Sequence, residues 1–242
     1  MYGHVNNPWW VPTRARRKEL IDSPDHPLED FRQSFRDIRT INRLFGGTAV
    51  VLTRLSRLVG SSREKLTVLD VGTGSADIPR ALMQWARERG ISIRMTASDA
   101  NPKVLRFAQA DGPEDPDFRF VVCDATALPF ENESFDYVLS SLTFHHFDDG
   151  MAGDALREMC RVARRAVIVN DLRRAYLPAA LIWLVTRALG MNRLTRHDGP
   201  LSVLRSRTMR EFRDLATLSG PWEPELYGHP FWRAAIVLRK AG

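Results

Sequence analysis

Short apolar runs alternate with amphipathic stretches between residues 65 and 171 of this 242-residue chain. The runs have the length of buried strands, whereas the stretches between them repeat apolar residues at helical spacing. Strands that alternate with helices in this way predict an α/β fold with a doubly wound, mostly parallel sheet. The predicted strands cover residues 68–71, 91–97, 118–122, 134–141 and 166–170, and the predicted helices between them cover 78–86, 102–110 and 149–164.

The residues before this region predict an arm followed by two helices. Trp9, Trp10 and the basic residues up to Lys18 are typical of a flexible arm. Apolar residues recur at helical spacing over 28–44, the paired glycines at 46 and 47 end that helix, and a second helix follows over 49–58. We therefore expect an N-terminal unit of arm and cap helices over residues 1–64 and a second unit over 65–242.

An unusually apolar stretch follows the fifth predicted strand at residues 175–186. It is about a dozen residues long, whereas a membrane-spanning helix needs roughly 20, and Arg187 interrupts it. This stretch is therefore expected to be a lid over an apolar pocket, a core or dimer helix, or an interfacial segment. Residues 193–207 predict a polar loop, which extends the helical insertion over about 172–208, and 209–218 predict a further helix.

The first strand runs directly into a turn that contains two glycines, Gly72 and Gly74. Glycine lets the bare backbone approach a ligand at the carboxyl end of a strand. A turn that binds a dinucleotide has a third glycine where Asp77 stands, and a carboxylate there would repel a diphosphate. The turn therefore favours a ligand without phosphates and disfavours a nicotinamide cofactor.

This turn, with Ala76 at the third glycine position, resembles the first motif of class I S-adenosylmethionine-dependent methyltransferases. Segments at the ends of the next three strands match the same family in the same order, and the resemblance covers roughly residues 65–171. It implies a seven-stranded, Rossmann-like sheet closed by an antiparallel hairpin, here at 223–227 and 234–238. It also implies S-adenosyl-L-methionine as the cofactor, held in part by Asp70, Gly72, Thr73 and Gly74.

Later strand ends supply the remaining candidates for cofactor binding. Asp99, followed by Ala100, ends the second strand, where an acid can accept both hydroxyls of a ribose; it could also cap the next helix. The resemblance implies that Asp124 and Ala125 contact the adenine. It further implies that the end of the fourth strand, Ser140 to Leu142, borders the methionine part of the cofactor, with Ser140 as the candidate ligand.

Histidines are the candidate catalytic groups. His145 and His146 follow the fourth strand, where the family places groups that face the methyl donor, and a histidine near neutral pKa can accept a hydroxyl proton. One of them could instead cap or pack against the next helix. His197, beside Asp198, is a second candidate base, whereas Asp171 is expected to be a structural acid at a strand end.

The charge and the cysteine content limit which binding partners and which cellular compartment we expect. The net charge is +6, with 31 arginines and four lysines dispersed along the chain. A nucleic-acid surface would cluster them with stacking aromatics, so nucleic acid is disfavoured, while an acidic partner or peripheral membrane contact is allowed. Two cysteines and no apolar leader favour the cytoplasm, and the lack of zinc-like Cys/His spacing predicts no metal.

The expected class of methyl acceptor follows from the families that the chain resembles and from a motif that its fourth strand lacks. The fourth strand lacks the Asn/Asp-Pro-Pro-aromatic segment of enzymes that methylate base amines. The core is similar to ubiquinone and menaquinone methyltransferases, and the carboxyl-terminal half to polyketide-associated ones. A hydrophobic, aromatic small molecule is therefore the expected substrate of a monomer or homodimer. The alternatives are an RNA-directed methyltransferase and a non-catalytic cofactor-binding module.

Overall fold

The structure, a computed structural model, describes residues 11–23, 26–60 and 64–240. One seven-stranded sheet forms its centre, with the strand order β3-β2-β1-β4-β5-β7-β6. The strands are β1 (Leu66–Val71), β2 (Ile93–Asp99), β3 (Phe118–Val122), β4 (Phe135–Ser141), β5 (Ala163–Leu172), β6 (Trp222–His229) and β7 (Arg233–Lys240).

Eight α-helices pack around this sheet in the described part of the chain. Three short 3₁₀ turns, at Leu20–Asp22, Phe144–His146 and Thr217–Ser219, complete the regular structure. The helices are α1 (Leu28–Leu44), α2 (Gly47–Val59), α3 (Asp77–Glu88), α4 (Pro102–Ala110), α5 (Asp149–Val162), α6 (Tyr176–Ala188), α7 (Arg193–Arg205) and α8 (Met209–Ala216).

The sheet topology confirms the predicted fold class. Strands β1 to β5 pair in parallel, and β7 pairs antiparallel with both β5 and β6. The chain passes from β1 outward through β2 and β3, and then returns to place β4 on the other side of β1. The carboxyl ends of β1 and β4 therefore flank the point where the winding reverses, which is where open α/β sheets bind their ligands.

The core lies on both faces of the sheet because successive strand residues point to opposite sides. On β1, Leu66 and Val68 pack with α2 and α3, while Leu69 and Val71 pack with α5 and α8. These strand residues are almost fully buried. Helix α2 is thus part of the sheet core although it precedes the unit expected from residue 65.

The N-terminal segment is more ordered than its sequence predicts. The two predicted helices are confirmed as α1 and α2, and Phe35 of α1 stacks on Phe107 of α4 with ring centroids 5.4 Å apart. Trp9 and Trp10 lie outside the described residues. Residues 11–18, predicted as flexible, instead lie against α7, where the Ala15 amide donates to the Leu204 carbonyl over 3.0 Å.

The predicted polar loop over 193–207 is wrong, because most of it forms helix α7. Pro200 lies inside this helix and cannot donate to the Arg196 carbonyl, which accepts a hydrogen bond from Arg187 instead. Gly199 lets α6 approach closely, since a β-carbon there would lie 2.8 Å from Ile182. Contacts with α6 therefore outweigh the helix-breaking tendency of a Gly-Pro pair.

Helix α6 is only partly the lid that its composition predicts. Ile182 faces the interior, but several large apolar residues of α6 are exposed. In the ranges 11–23, 26–60 and 64–240, none of the helices has the length and apolar character needed to cross a bilayer. The exposed apolar residues on α6 are Tyr176, Leu177, Leu181, Trp183 and Leu184.

Candidate active site

A cavity of about 740 Å³ lies at the carboxyl edge of the sheet, beside the ends of β1, β2 and β4. It is bounded by residues 72–75, called here the glycine turn, and by α1, α7 and the loop that follows β4. Acidic groups line the part near the strand ends. Apolar side chains line much of the remainder, among them Phe35, Ile38, Ile41, Phe147, Met151 and Ile182.

The glycine turn fits tightly between neighbouring strand ends. Gly72 and Gly74 have φ of +73° and +54°, a region that side chains with a β-carbon disfavour. A β-carbon on Gly72 would lie 2.4 Å from the side chain of Thr143, whereas one on Gly74 would lie 3.6 Å from Phe35. The amides of Gly72 and Thr73 both donate to the Ser98 carbonyl. Gly72 is therefore required by the packing of the turn on the loop after β4.

Asp70 lies buried at the end of β1 and lines the cavity. Burial raises the pKa of Asp70 to about 7; the nearby Thr73 hydroxyl acts against this, and the nearby acids Asp77 and Asp99 add to it. Its Oδ1 has no hydrogen-bond partner in the described part of the chain. A ligand that brings a positive charge would stabilise the ionised form of this carboxylate.

Asp99 faces the same cavity and helps to shape the glycine turn. One oxygen accepts from the Gly74 amide and the other from the Asn101 amide, both at 3.0 Å. A carboxylate oxygen has two lone pairs, so each keeps one site for a ligand hydroxyl. The cap of α4 is the side chain of Asn101, which accepts from the Lys103 amide. Asp99 is thus not the helix cap that its position also allowed.

Asp124 and Ala125 lie on the cavity wall after β3, and Ala100 lies on it after β2. Asp124 Oδ1 accepts from both the amide and the hydroxyl of Thr126 at 2.8 Å. These hydrogen bonds lower the pKa of Asp124 and fix the direction of its carboxylate. Its other oxygen is left to accept from a ligand amine.

Ser140 does not line the cavity, contrary to its predicted role. It is buried within the sheet, and its hydroxyl donates to the Val71 carbonyl over 2.9 Å. The residues that reach the cavity at this point are the next three, Ser141, Leu142 and Thr143. Of the segment Ser140 to Leu142 that was expected to border the cofactor, the last two residues therefore lie on the cavity wall and the first does not.

His145 is fixed by Asp171, a buried acid at the end of β5. Asp171 Oδ1 lies 2.7 Å from Nδ1 of His145, and Oδ2 accepts from the His145 amide over 2.8 Å. Burial favours the neutral acid, but the interaction with His145 outweighs it and lowers the pKa of Asp171. This pairing holds the ring so that Nε2 is directed away from Asp171. The strand-end acid is therefore also the partner of the first histidine.

His146 faces two acids from the N-terminal segment that sequence reasoning missed. Its Nδ1 lies 3.0 Å from Asp22 and its Nε2 lies 3.9 Å from Glu19. Burial disfavours the protonated ring, but Glu19 and Asp22 outweigh this and raise the pKa of His146 to about 9. At neutral pH the ring therefore carries a proton, so His146 can donate a hydrogen bond but is a poor base.

The third predicted histidine, His197, does not line the cavity. Its Nδ1 lies 2.7 Å from Asp198, and about a third of the side chain is exposed. Asp198 itself lines the cavity wall and also accepts from the amides of Leu20 and Ile21. His197 is therefore remote from the groups that could act on a bound molecule.

Arg233 is a buried cation on the cavity wall that sequence reasoning missed. Its Nε donates to the Phe45 carbonyl and its Nη2 to Asn42, while Nη1 has no partner among the described residues. Burial lowers its pKa to about 10, which leaves it charged at neutral pH. Asp171 and Asp77 act electrostatically on Arg233, and Asp77 also acts on Asp70, so an unpartnered guanidinium nitrogen and an unpartnered carboxylate oxygen line the same cavity.

Comparisons with known proteins agree with this architecture. Residues 69–169 match the family model described as a methyltransferase domain. The chain is 35% identical over 100 residues to the ubiquinone/menaquinone biosynthesis C-methyltransferase UbiE of Rickettsia massiliae. That match covers 40% of each protein, so the chain spans well under half the length of this curated relative.

Solved structures share the fold at low sequence identity. An inferred O-methyltransferase from Nostoc punctiforme superposes with a TM-score of 0.63 at 18% identity, over 94% of this chain and 64% of that one. The structure of LepI in complex with SAM gives 0.56 at 19% identity, over 77% of this chain and 46% of that one. Residues 69–169 are therefore similar to a methyltransferase domain, and the seven-stranded fold around them is similar to that of these solved structures.

Proposed function

We propose that this protein transfers a methyl group from S-adenosyl-L-methionine to a hydrophobic, aromatic small molecule of phenolic, quinone-like or polyketide-derived character. The observation that carries the proposal is that one cavity contains the acidic strand ends, the glycine turn and the histidine of the His145–Asp171 pair. A cofactor on the strand ends would thereby have its acceptor placed beside a group able to take a proton.

The polar groups of the cavity fit a nucleoside with a zwitterionic tail. Asp99 keeps acceptor sites for ribose hydroxyls, and Asp124 keeps one for the adenine amine. The unpartnered Oδ1 of Asp70 suits the ammonium of a methionine tail, and the unpartnered Nη1 of Arg233 suits its carboxylate. In this assignment, Ala100 and Ala125 supply adjacent backbone, and Gly72, Thr73 and Gly74 allow close approach.

The acceptor end of the cavity favours an apolar, flat molecule. Apolar surface is presented there by Phe35 and Ile38 of α1, Phe147 just before α5, Met151 of α5 and Ile182 of α6. Burial of an aromatic ring against such surface is favourable by roughly 25 cal/mol per Å² of apolar area removed from water. The same apolar walls would keep water from the reacting atoms. They favour a small molecule over a base within a folded RNA as the methyl acceptor.

When bound, S-adenosyl-L-methionine supplies a methyl group on a positively charged sulfur. The chain's own contribution is to align the acceptor with that methyl and to keep water out. Nε2 of His145 would accept the acceptor's proton, and Asp171 would hold the ring and stabilise its protonated form. The protonated His146 would stabilise negative charge that develops on the acceptor oxygen.

Two measurements test the proposal. Calorimetry of the full chain should show binding of S-adenosyl-L-methionine and none of NADH. In the second, the protein is incubated with methyl-labelled cofactor and a cell extract, and the extract is then separated into lipid, small-molecule and RNA fractions. The label should appear in the lipid and small-molecule fractions. Label confined to RNA would favour the RNA-directed alternative, and binding without any label would favour the non-catalytic module.

A further inference from the structure

Glu19, His145 and His146 converge at the edge of the cavity in a way that the methyl-transfer proposal does not require. One donor atom from each residue, a carboxylate oxygen or a ring nitrogen, lies within 4.8 Å of the other two. Glu19 Oε1 lies 3.6 Å from Nε2 of His145, and Oε2 lies 3.9 Å from Nε2 of His146. These separations are too long for hydrogen bonds and a few tenths of an ångström wider than those around a transition-metal ion.

Each histidine has a carboxylate on its far nitrogen. Asp171 is hydrogen-bonded to Nδ1 of His145 at 2.7 Å, whereas Asp22 lies 3.0 Å from Nδ1 of His146 as an ion pair without a hydrogen bond. Metal-binding histidines almost always carry such a partner, because it fixes the ring and strengthens the other nitrogen as a ligand. The arrangement therefore directs both Nε2 atoms toward the same carboxylate.

Glu19 is buried without a hydrogen bond to one of its oxygens. Its side chain is only 3% exposed, and Oε1 has no partner among the described residues. Arg205 lies 3.7 Å from that oxygen, but its guanidinium already donates to the carbonyls of Arg17, His145 and His146. A buried carboxylate oxygen that accepts no hydrogen bond is costly, and a bound cation removes that cost.

We propose that Glu19, His145 and His146 form a binding site for a divalent transition-metal ion that opens into the cavity. Two imidazole nitrogens and one carboxylate suit Zn²⁺, Fe²⁺, Mn²⁺ or Co²⁺, whereas Mg²⁺ and Ca²⁺ prefer oxygen ligands throughout. Three protein ligands leave coordination positions for water or an acceptor oxygen. Glu19 and Asp22 also place negative charge beside His146, which favours a bound cation.

The metal site and the proton-accepting role of His145 exclude each other at any one moment, because a metal ion on Nε2 occupies the lone pair that would take the proton. Metal binding can be measured without methyl transfer. Failure of the metal site would therefore leave the proposed function standing, and failure of methyl transfer would leave the metal site standing.

The test uses the full chain after chelator treatment and dialysis. Co²⁺ should bind with a stoichiometry of one and give visible d–d absorption bands, and Zn²⁺ should displace it. Glu19→Gln should weaken Co²⁺ binding at least about 100-fold, and Asp171→Asn about 10- to 100-fold, as for other partners of metal-binding histidines. His197→Ala is the matched control and should bind Co²⁺ like the parent.

Calorimetric binding of S-adenosyl-L-methionine by each variant shows that it is folded. Absence of stoichiometric Co²⁺ and Zn²⁺ binding by the parent would overturn the proposal, and so would Co²⁺ affinity that Glu19→Gln leaves unchanged in a cofactor-binding variant. If the metal-loaded parent also transfers methyl groups faster than the stripped parent, the ion takes part in the reaction. Faster transfer by the stripped protein would assign the ion to inhibition at the same site.

Discussion

Thr143 fixes the position of Gly72. Its hydroxyl donates a hydrogen bond of 3.1 Å to the Gly72 carbonyl, and its side chain fills the space where a β-carbon of residue 72 would lie. The glycine is therefore needed for the contact between the loops after β1 and β4, not only for the approach of a ligand. This contact joins the cofactor end of the cavity to the loop that carries the histidines.

Gly72→Ala should lower the free energy of unfolding by about 2–4 kcal/mol, because left-handed backbone and overpacking against Thr143 both add cost. Gly74→Ala is the matched control, since it shares the positive φ but meets only Phe35 at an ordinary 3.6 Å. We expect that control to lose only about 1–2 kcal/mol. Urea denaturation of the two variants measures the difference, and equal losses would show that Thr143 moves aside without cost.

Asp99→Ala should weaken binding of S-adenosyl-L-methionine by about 1–3 kcal/mol, through loss of charge-assisted hydrogen bonds to the ribose. Calorimetry with the cofactor and with its 2′-deoxy analogue separates this effect from a disturbed turn. The parent should prefer the cofactor with its hydroxyl, and the variant should bind both ligands equally. A variant that keeps the preference would show that another group recognises the ribose.

Binding of S-adenosyl-L-methionine should release a proton near pH 7 because of Asp70. Its pKa of about 7 in the free protein means that it is partly protonated there, and the positively charged ligand favours the ionised form. Affinity should therefore rise as the pH approaches 7 from below and become constant above it. Calorimetry in buffers of different ionisation enthalpy measures the released proton.

Asp70→Asn is the control for this pH dependence. The variant should bind more weakly and release no proton near pH 7, since an asparagine side chain carries no ionisable proton there. In the free protein, the raised pKa of Asp70 also determines how folding stability changes with pH. Asp70 stabilises the fold fully below its unfolded pKa, near 4, and that contribution is lost as the pH rises through 7. Proton release that persists in Asp70→Asn would assign the effect elsewhere.

His145→Ala should reduce kcat by about 10²–10⁴-fold, the range for loss of a general base, while cofactor affinity stays close to that of the parent. His197→Ala should leave both quantities unchanged because that side chain lies off the cavity wall. Single-turnover rates with labelled cofactor and an acceptor found in the extract experiment provide the measurement. Full turnover by His145→Ala at every pH would exclude both proton transfer and metal binding by this residue as catalytic requirements.

Asp198→Asn should loosen the segment that carries Glu19. Asp198 accepts from the amides of Leu20 and Ile21 at 2.8 and 2.9 Å, and an amide nitrogen in place of one oxygen would face a donor. We expect faster tryptic cleavage within residues 14–18 and weaker Co²⁺ binding. Asp214→Asn, at an exposed site on α8, is the control. Unchanged cleavage in Asp198→Asn would show that other contacts hold the segment.

Much of the cofactor end could be predicted from the sequence because its signals are local. Each strand from β1 to β5 is a short apolar run, and each candidate ligand follows such a run directly. Parallel strands bring their carboxyl ends to one edge, so Asp70, Asp99 and Asp124 had to lie near one another. In the predicted segment Ser140 to Leu142, Ser140 alone lies off the cavity wall, because one position along a strand reverses the side that its residue faces.

The acceptor end depended on contacts that no local pattern contains. Helix α7 forms despite its Gly-Pro pair because Gly199 packs on α6, and it then supplies the wall that anchors residues 20 and 21. Glu19 and His145 lie close together although about half of the chain separates them, and Arg233 is buried beside the junction of α1 and α2. The sequence by itself determined the sheet, the glycine turn and the acids, since hydrophobic periodicity and strand-end residues act over a few positions. Only the tertiary structure decided which distant charges meet, because burial of one charge beside another is a property of packed surfaces.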